Sequence, residues 1–213
     1  MFRDRAEAGR KLAKKLMQYR LPAQAGGKNA IVLALPRGGV VVGYEIARAL
    51  SLPLDIIAVR KIGHPLHPEY AIGAVDENGA RILNAREAAT VDKEWLAAET
   101  EREMQEARRR STVYRGGKTA EKLQGKVVIL VDDGIATGLT IRLAVRSAKV
   151  QKPAKIVVAV PVAPSDSLRA LEEEGADELI VLEPPEHFAG AVGAHYVRFD
   201  QTTDEEVIEL LRR

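Results

Sequence analysis

The chain contains no cysteine. That excludes disulfides, thiolate metal sites and cysteine nucleophiles, and it fits a reducing, cytoplasmic setting. Charge of either sign is not in excess: Lys and Arg total 32, Asp and Glu total 30, a net +2. Nothing in that balance points to a nucleic acid or a membrane surface as partner. No apolar run approaches the roughly 20 residues that span a bilayer. The opening MFRDRAEAGRKLAKKL lacks the apolar centre of a signal peptide. Neither G-x-G-x-x-G nor G-x-x-x-x-G-K-[ST] occurs, which argues against a dinucleotide-binding or P-loop protein. Aromatic residues make up only 4% of the 213 residues, so any gathering of them stands out.

What is present is an ordinary globular balance, 46% apolar and 29% charged, at the length of one larger domain. Apolar spacing predicts a helix over 3–19, ended by Pro22 and Gly26-Gly27. Ile31 to Leu35 is short, fully apolar and closed by Pro36, as in a strand buried on both faces of a parallel sheet. A helix over 40–50 and a strand over 54–59 follow. Segment 60–84 differs: two strands, 71–75 and 80–83, flank Asp76-Glu77-Asn78-Gly79, where Asn-Gly favours a type I′ hairpin. A charged helix over 91–110 carries Trp95 as its largest core candidate, and Gly116-Gly117 stop it. Strands at 127–131, 155–160 and 178–182 then alternate with helices at 138–150, 165–173 and 204–211. This alternation predicts an α/β fold with a core parallel sheet flanked by helices. The whole of 1–213 reads as one domain, with no repeat and no long linker.

The most informative stretch runs from Val127 to Thr140, VVILVDDGIATGLT. A buried strand ends in two adjacent carboxylates, Asp132 and Asp133. A short loop follows, Gly134-Ile135-Ala136-Thr137-Gly138, and a helix begins, with Thr140 in its first turn. Backbone N–H groups of such a loop and a helix N-terminus cradle an anion, and the threonine hydroxyls add donors. Two acids would repel a phosphate unless they serve something else. Ribose hydroxyls, which donate to carboxylates, are that something, and Mg²⁺ carried by the ligand offsets the remaining charge. The stretch therefore reads as a ribose 5-phosphate site. The plainer reading, a capping Asp before a routine strand-to-helix turn, stays open beside it.

Over these 14 positions the chain resembles the PRPP (5-phosphoribosyl 1-pyrophosphate) signature of type I phosphoribosyltransferases. The opening Phe2-Arg3-Asp4-Arg5-Ala6-Glu7-Ala8-Gly9 and the Leu35-Pro36-Arg37-Gly38-Gly39 loop are similar to a subfamily of predicted phosphoribosyltransferases whose acceptor is unassigned. The resemblance implies that Asp132 and Asp133 hold the ribose hydroxyls and act as the catalytic pair. It implies that Gly134 to Gly138, with Thr137 and Thr140, bind the 5-phosphate, and that Arg37, Gly38 and Gly39 hold the pyrophosphate. Both loops follow strand C-termini, where open α/β sheets bind ligands.

The resemblance further implies a flexible loop over 60–79 that closes on the site, with Arg60, Lys61 and His64 as its candidate contacts. It implies a core over about 28–182 and a small hood from 183–200, with the N-terminus as a further contributor. Phe188, Tyr196 and Phe199 gather in that hood, and Phe188 is the candidate to stack on a planar acceptor. The implied reaction is Mg²⁺-dependent transfer of ribose 5-phosphate from PRPP to a nitrogen nucleophile, with a nucleobase as the expected class. The metal rides on PRPP, with no direct protein ligand. A regulator that binds PRPP or a nucleotide without catalysis is the alternative. Ala136 stands where hypoxanthine-guanine enzymes carry an acid, and no residue singles out one base. Homo-oligomer formation is left open.

Overall fold

The computed structural model describes residues 1–20 and 29–213. The predicted helix stops at Pro22, Gly26 and Gly27 fall outside these residues. The first helix, α1 (Arg5–Lys15), is shorter than its apolar spacing suggests. It gives way to a 3₁₀ turn over Met17–Tyr19. That turn carries Tyr19 to the edge of the sheet, where Lys155 Nζ donates to its hydroxyl at 2.8 Å and the hydroxyl donates to Glu178.

Five strands form the central sheet: β1 (Ala30–Ala34), β2 (Leu54–Ile56), β6 (Val127–Val131), β7 (Lys155–Val160) and β8 (Glu178–Val181). Their order is β2-β1-β6-β7-β8, and every pair is parallel. From β1 the chain first builds outward to β2. It then returns to lay β6, β7 and β8 on β1's other side. The direction of winding reverses between β1 and β6, and it is outside the C-terminal ends of such a pair that doubly wound sheets open a crevice.

Alternate residues of the strands feed two cores. Ile31, Leu33, Val128, Leu130, Ile156 and Val158 face α5 (Leu139–Val150) and α6 (Ser165–Glu174). Val32, Ile129, Val131, Val157 and Ala159 face α1 and α2 (Gly38–Leu50), where Leu12, Leu16, Ile46 and Leu50 meet them. Each fully buried Leu or Ile contributes about 1.5–3 kcal/mol. Helix α7 (Asp204–Arg212) begins at a capping box: Thr203 accepts from the Glu206 amide while Glu206 accepts from that of Thr203.

Segment 59–83 departs from the sequence reading. It forms a three-stranded antiparallel sheet, β3 (Val59–His64), β4 (His67–Asp76) and β5 (Arg81–Leu83). The extra strand, VRKIGH, has two apolar side chains, Val59 and Ile62, and pairs with β4 through irregular register at Gly63. Asp76 reshapes the expected Asn-Gly turn. Its carboxylate accepts from the amides of Asn78 and Ala80, both at 2.9 Å. Glu77, Asn78 and Gly79 form the loop, and only Gly79, at φ +88°, is left-handed. A type I′ turn needs Asn78 there as well. The small sheet lies between α5 and α4 (Lys93–Arg115). Ala71, Ala74 and Ile82 join the main core, while Ile62, Ile72 and Val75 meet Leu96, Met104 and a half-buried Trp95. A short helix, α3 (Ala85–Ala88), precedes α4, which ends at Gly116. No helix among the described residues is long and apolar enough to cross a membrane.

Candidate active site at the β1–β6 junction

Strands β1 and β6 pair from Ala30 with Val127 through Ala34 with Val131. One more bond, from the Leu35 amide to the Val131 carbonyl at 2.9 Å, carries the ladder to its end. Both chains leave the sheet together, and their loops touch. A Cβ on Gly38 would collide with Oδ2 of Asp133 and stand 2.7 Å from Nε of Arg5. One on Gly39 would lie 2.9 Å from the Val131 carbonyl oxygen and 3.0 Å from Oδ1 of Asp132. The two glycines are there because carboxylates occupy the space a side chain would fill. The peptide bond between Pro36 and Arg37 is cis.

The paired acids are partly covered. Oδ1 of Asp132 accepts from the Asp133 amide at 2.8 Å, and Oδ2 of Asp133 accepts from Arg5 Nε at 2.7 Å. Burial, and then the charge of Asp133, push Asp132 well above the usual carboxylate range. Burial also raises Asp133, while Arg5 pulls it back.

Beyond the acids the loop is tied down at intervals. The Ile135 amide donates to the Val162 carbonyl at 2.9 Å, and Ser167 Oγ donates to the Ala136 carbonyl at 3.0 Å. Val192 and Val162 pack against Gly134. Gly138, at φ +76°, is the N-cap of α5 and supplies no side-chain bond to the first turn. The opening amides of α5 thus keep donors for a bound anion. Thr137 is exposed and Thr140 half-buried. Thr137 lines a hollow of about 580 Å³ shared with Tyr70, Arg81, Asn84, Arg142 and Arg146.

The other candidate residues have contacts of their own. Arg37 turns toward α7, where its Nη1 donates to Asp204 at 3.3 Å. The same carboxylate accepts from Tyr114 at 2.6 Å and Arg109 at 3.0 Å. Arg60 is paired at 2.7 Å with the buried Glu103 of α4. Lys61 lies on β3, and His64 sits by the β3–β4 turn, stacked 5.8 Å from His67. Phe188 stacks on His195 at 5.5 Å and packs with Phe2 and Tyr196.

The N-terminus and the segment after β8, expected to form the hood, close over the acids, and they bring in Arg5, to which the sequence reading gave no individual role. The N-terminal stretch bridges to the segment after β8: Phe2 N–H donates to the His195 carbonyl at 2.7 Å, and Val197 N–H donates to that of Phe2 at 2.8 Å. This brings Arg5 onto Asp133, and Tyr196 donates its hydroxyl to the Asp133 carbonyl. The sequence signal for Arg5 was its place in the Phe2-to-Gly9 stretch. Its partner lies 128 residues away.

Comparison with known proteins settles the family. The pattern of the phosphoribosyl transferase domain matches residues 3–196. The chain belongs to this family. It is 41% identical, over its whole length, to a protein of Mycobacterium tuberculosis provisionally named a phosphoribosyl transferase, found in two strains. The chain spans about half the length, 47%, of these curated relatives. It is also 41% identical to the crystal structure of TT1426 from Thermus thermophilus, with a TM-score of 0.76 over 99% of this chain and 97% of that one. The type I phosphoribosyltransferase resemblance and the parallel α/β sheet expected from the sequence are therefore both met.

Proposed function

We propose that the protein transfers ribose 5-phosphate from PRPP to a nitrogen nucleophile, with a nucleobase as the acceptor class, releasing pyrophosphate. The observation that carries this reading is the meeting of Gly38 and Gly39 with Asp132 and Asp133 at the sheet's reversal point. One loop offers close backbone approach and the other an acid pair beside an uncapped helix end, so a ligand with anions on both sides of a ribose fits between them. In this reading Asp132 and Asp133 accept from the ribose hydroxyls and stabilise positive charge as it develops on the ring. The 134–138 loop, Thr137 and Thr140 hold the 5-phosphate, and Arg37, Gly38 and Gly39 take the pyrophosphate.

Among the described residues no cluster of three or more His, Asp or Glu could cage a metal. With Asp132 and Asp133 engaged by the ribose hydroxyls, Mg²⁺ would be carried by the ligand's own oxygens, with no direct protein ligand. Such an ion would neutralise charge on the departing pyrophosphate. Phe188 is kept as the candidate wall of the acceptor pocket. Arg60, Lys61 and His64 are kept as candidate contacts of a closing loop, although Arg60 must first leave Glu103.

Pyrophosphate release from PRPP, with Mg²⁺ and a panel of nucleobases, tests the reaction. Release that depends on one base supports it. The alternative is a PRPP- or nucleotide-binding regulator without catalysis, since a fold does not fix a function. Tight PRPP binding without turnover on any base would select that alternative.

A further inference from the structure

Arg5 has no part in the reading above, yet it occupies the middle of the site. It is the first residue of α1. Its Nε donates to Oδ2 of Asp133 at 2.7 Å, and its Nη1 donates to the Asp200 carbonyl at 2.6 Å. The guanidinium carbon lies 3.9 Å from the centre of the Phe199 ring. Its side chain is 12% exposed and that of Asp133 16%. A planar guanidinium anchored by two hydrogen bonds and a ring face has one orientation to adopt, and a lysine could not reproduce it. Because Nε also stands 2.7 Å from where a Gly38 Cβ would be, the group reaches into the angle between the two strand-end loops.

The surroundings of Asp133 give this placement a purpose. Asp132 stands beside it, and both acids are raised by burial. From the C-terminal segment Tyr196 donates to its carbonyl. Arg37 of the neighbouring loop is turned toward Asp204. Arg5 thus donates directly to the acid pair, and a polyphosphorylated ligand that approaches the two carboxylates meets this charge there, besides any Mg²⁺ it carries.

We propose that Arg5 is the positioning residue of this site: it fixes the Asp133 carboxylate through Oδ2 and supplies the positive charge that lets an anionic ribosyl ligand settle against paired acids. This rests on the reading of 132–140 as a PRPP site. Arg5 stays on Asp133 when the ligand is bound, and it acts on that ligand through Asp133 and through its charge.

The test compares Arg5→Gln and Arg5→Lys with the unaltered protein. PRPP with Mg²⁺ is titrated by calorimetry, and the carboxyl carbon of Asp133 is followed by NMR across pH in the ligand-free protein. Arg5→Gln is expected to weaken PRPP roughly 10- to 100-fold, the size of a lost hydrogen bond to a charged group. It should also move the Asp133 titration upward. Arg5→Lys should bring the titration back toward the original while recovering only part of the affinity, since charge returns without the fork. It is also the variant to rely on if Arg5→Gln does not fold. A lower melting temperature with unchanged affinity and titration would overturn the proposal and leave Arg5 a packing residue. Tighter PRPP binding in Arg5→Gln would overturn it too, since Arg5 would then be a plug. If the unaltered protein binds no PRPP, the ligand reading fails, and the ligand-free titration still decides whether Arg5 governs Asp133.

Discussion

Tyr196 donates its hydroxyl to the backbone carbonyl of Asp133 at 2.6 Å, across 63 residues of sequence. Burial, and then the neighbouring Asp133 charge, push the phenol above its ordinary range, so it remains a donor at physiological pH. Tyr196→Phe keeps the ring contacts with Phe2 and Phe199 and removes only the donor. It should cost about 1–2 kcal/mol in urea unfolding, the usual cost of a half-satisfied buried pair. Because the acid loop hangs from that carbonyl, ligand affinity at 132–140 should fall with it.

Asp204 gathers Tyr114, Arg109 and Arg37, and these hold its carboxyl down to about 2. A folded value below the unfolded one adds stability that is complete above about pH 4 and lost as pH falls through about 2. Asp204→Asn should therefore be less stable than the parent at neutral pH by about 1–3 kcal/mol. The gap should narrow between pH 4 and 2. Denaturant midpoints measured across that window check it, and a constant gap would remove Asp204 from the acid response.

Asp132→Asn and Asp133→Asn should damage turnover more than ground-state binding of PRPP. An amide still accepts from a ribose hydroxyl, but its lack of charge matters most when the ring becomes cationic. A kcat loss on the order of 10²-fold is expected. If both acids merely cap a turn, Asn serves as well, and the original rate in both variants would sink the catalytic assignment.

Arg37→Ala should weaken PRPP more than a nucleoside monophosphate, because only PRPP carries the pyrophosphate. Calorimetry on both ligands reads the difference. Equal losses would show that Arg37 is structural, as a partner of Asp204, or serves the 5-phosphate that both ligands share.

The 60–79 segment should exchange its amides unevenly. Ile62, Ile72 and Ala74 are fully buried, while Leu66 at the turn is 78% exposed. Hydrogen exchange should be slow at the root and fast at 64–67, with protection at the turn rising on PRPP addition. Protection of the turn in both states would count against closure.

The parts of this architecture that were legible in sequence are those whose cause is local. Val127 to Val131 is apolar without interruption because both faces are covered, and the acids, glycines and threonines after it are contiguous. Strand β3 escaped notice because Arg60 and Lys61 break its apolar pattern; it is held by pairing with β4, and Arg60 finds its charge partner on α4. The turn at Asp76 was misread because a side chain, and not the Asn-Gly pair, decides its shape. Arg37's contact with Asp204 and Arg5's with Asp133 span 167 and 128 residues, and no spacing rule reaches that far.

The β1–β6 ladder, extended by Leu35 and Val131, has a thermodynamic consequence. A ligand that bridges both strand-end loops behaves as a reversible cross-link that only the folded sheet can accept. It stabilises the fold by mass action, about 2.7 kcal/mol at a hundredfold excess over its dissociation constant. Unfolding temperature therefore becomes a sensor of occupancy, and compounds can be ranked by it before any product has been seen.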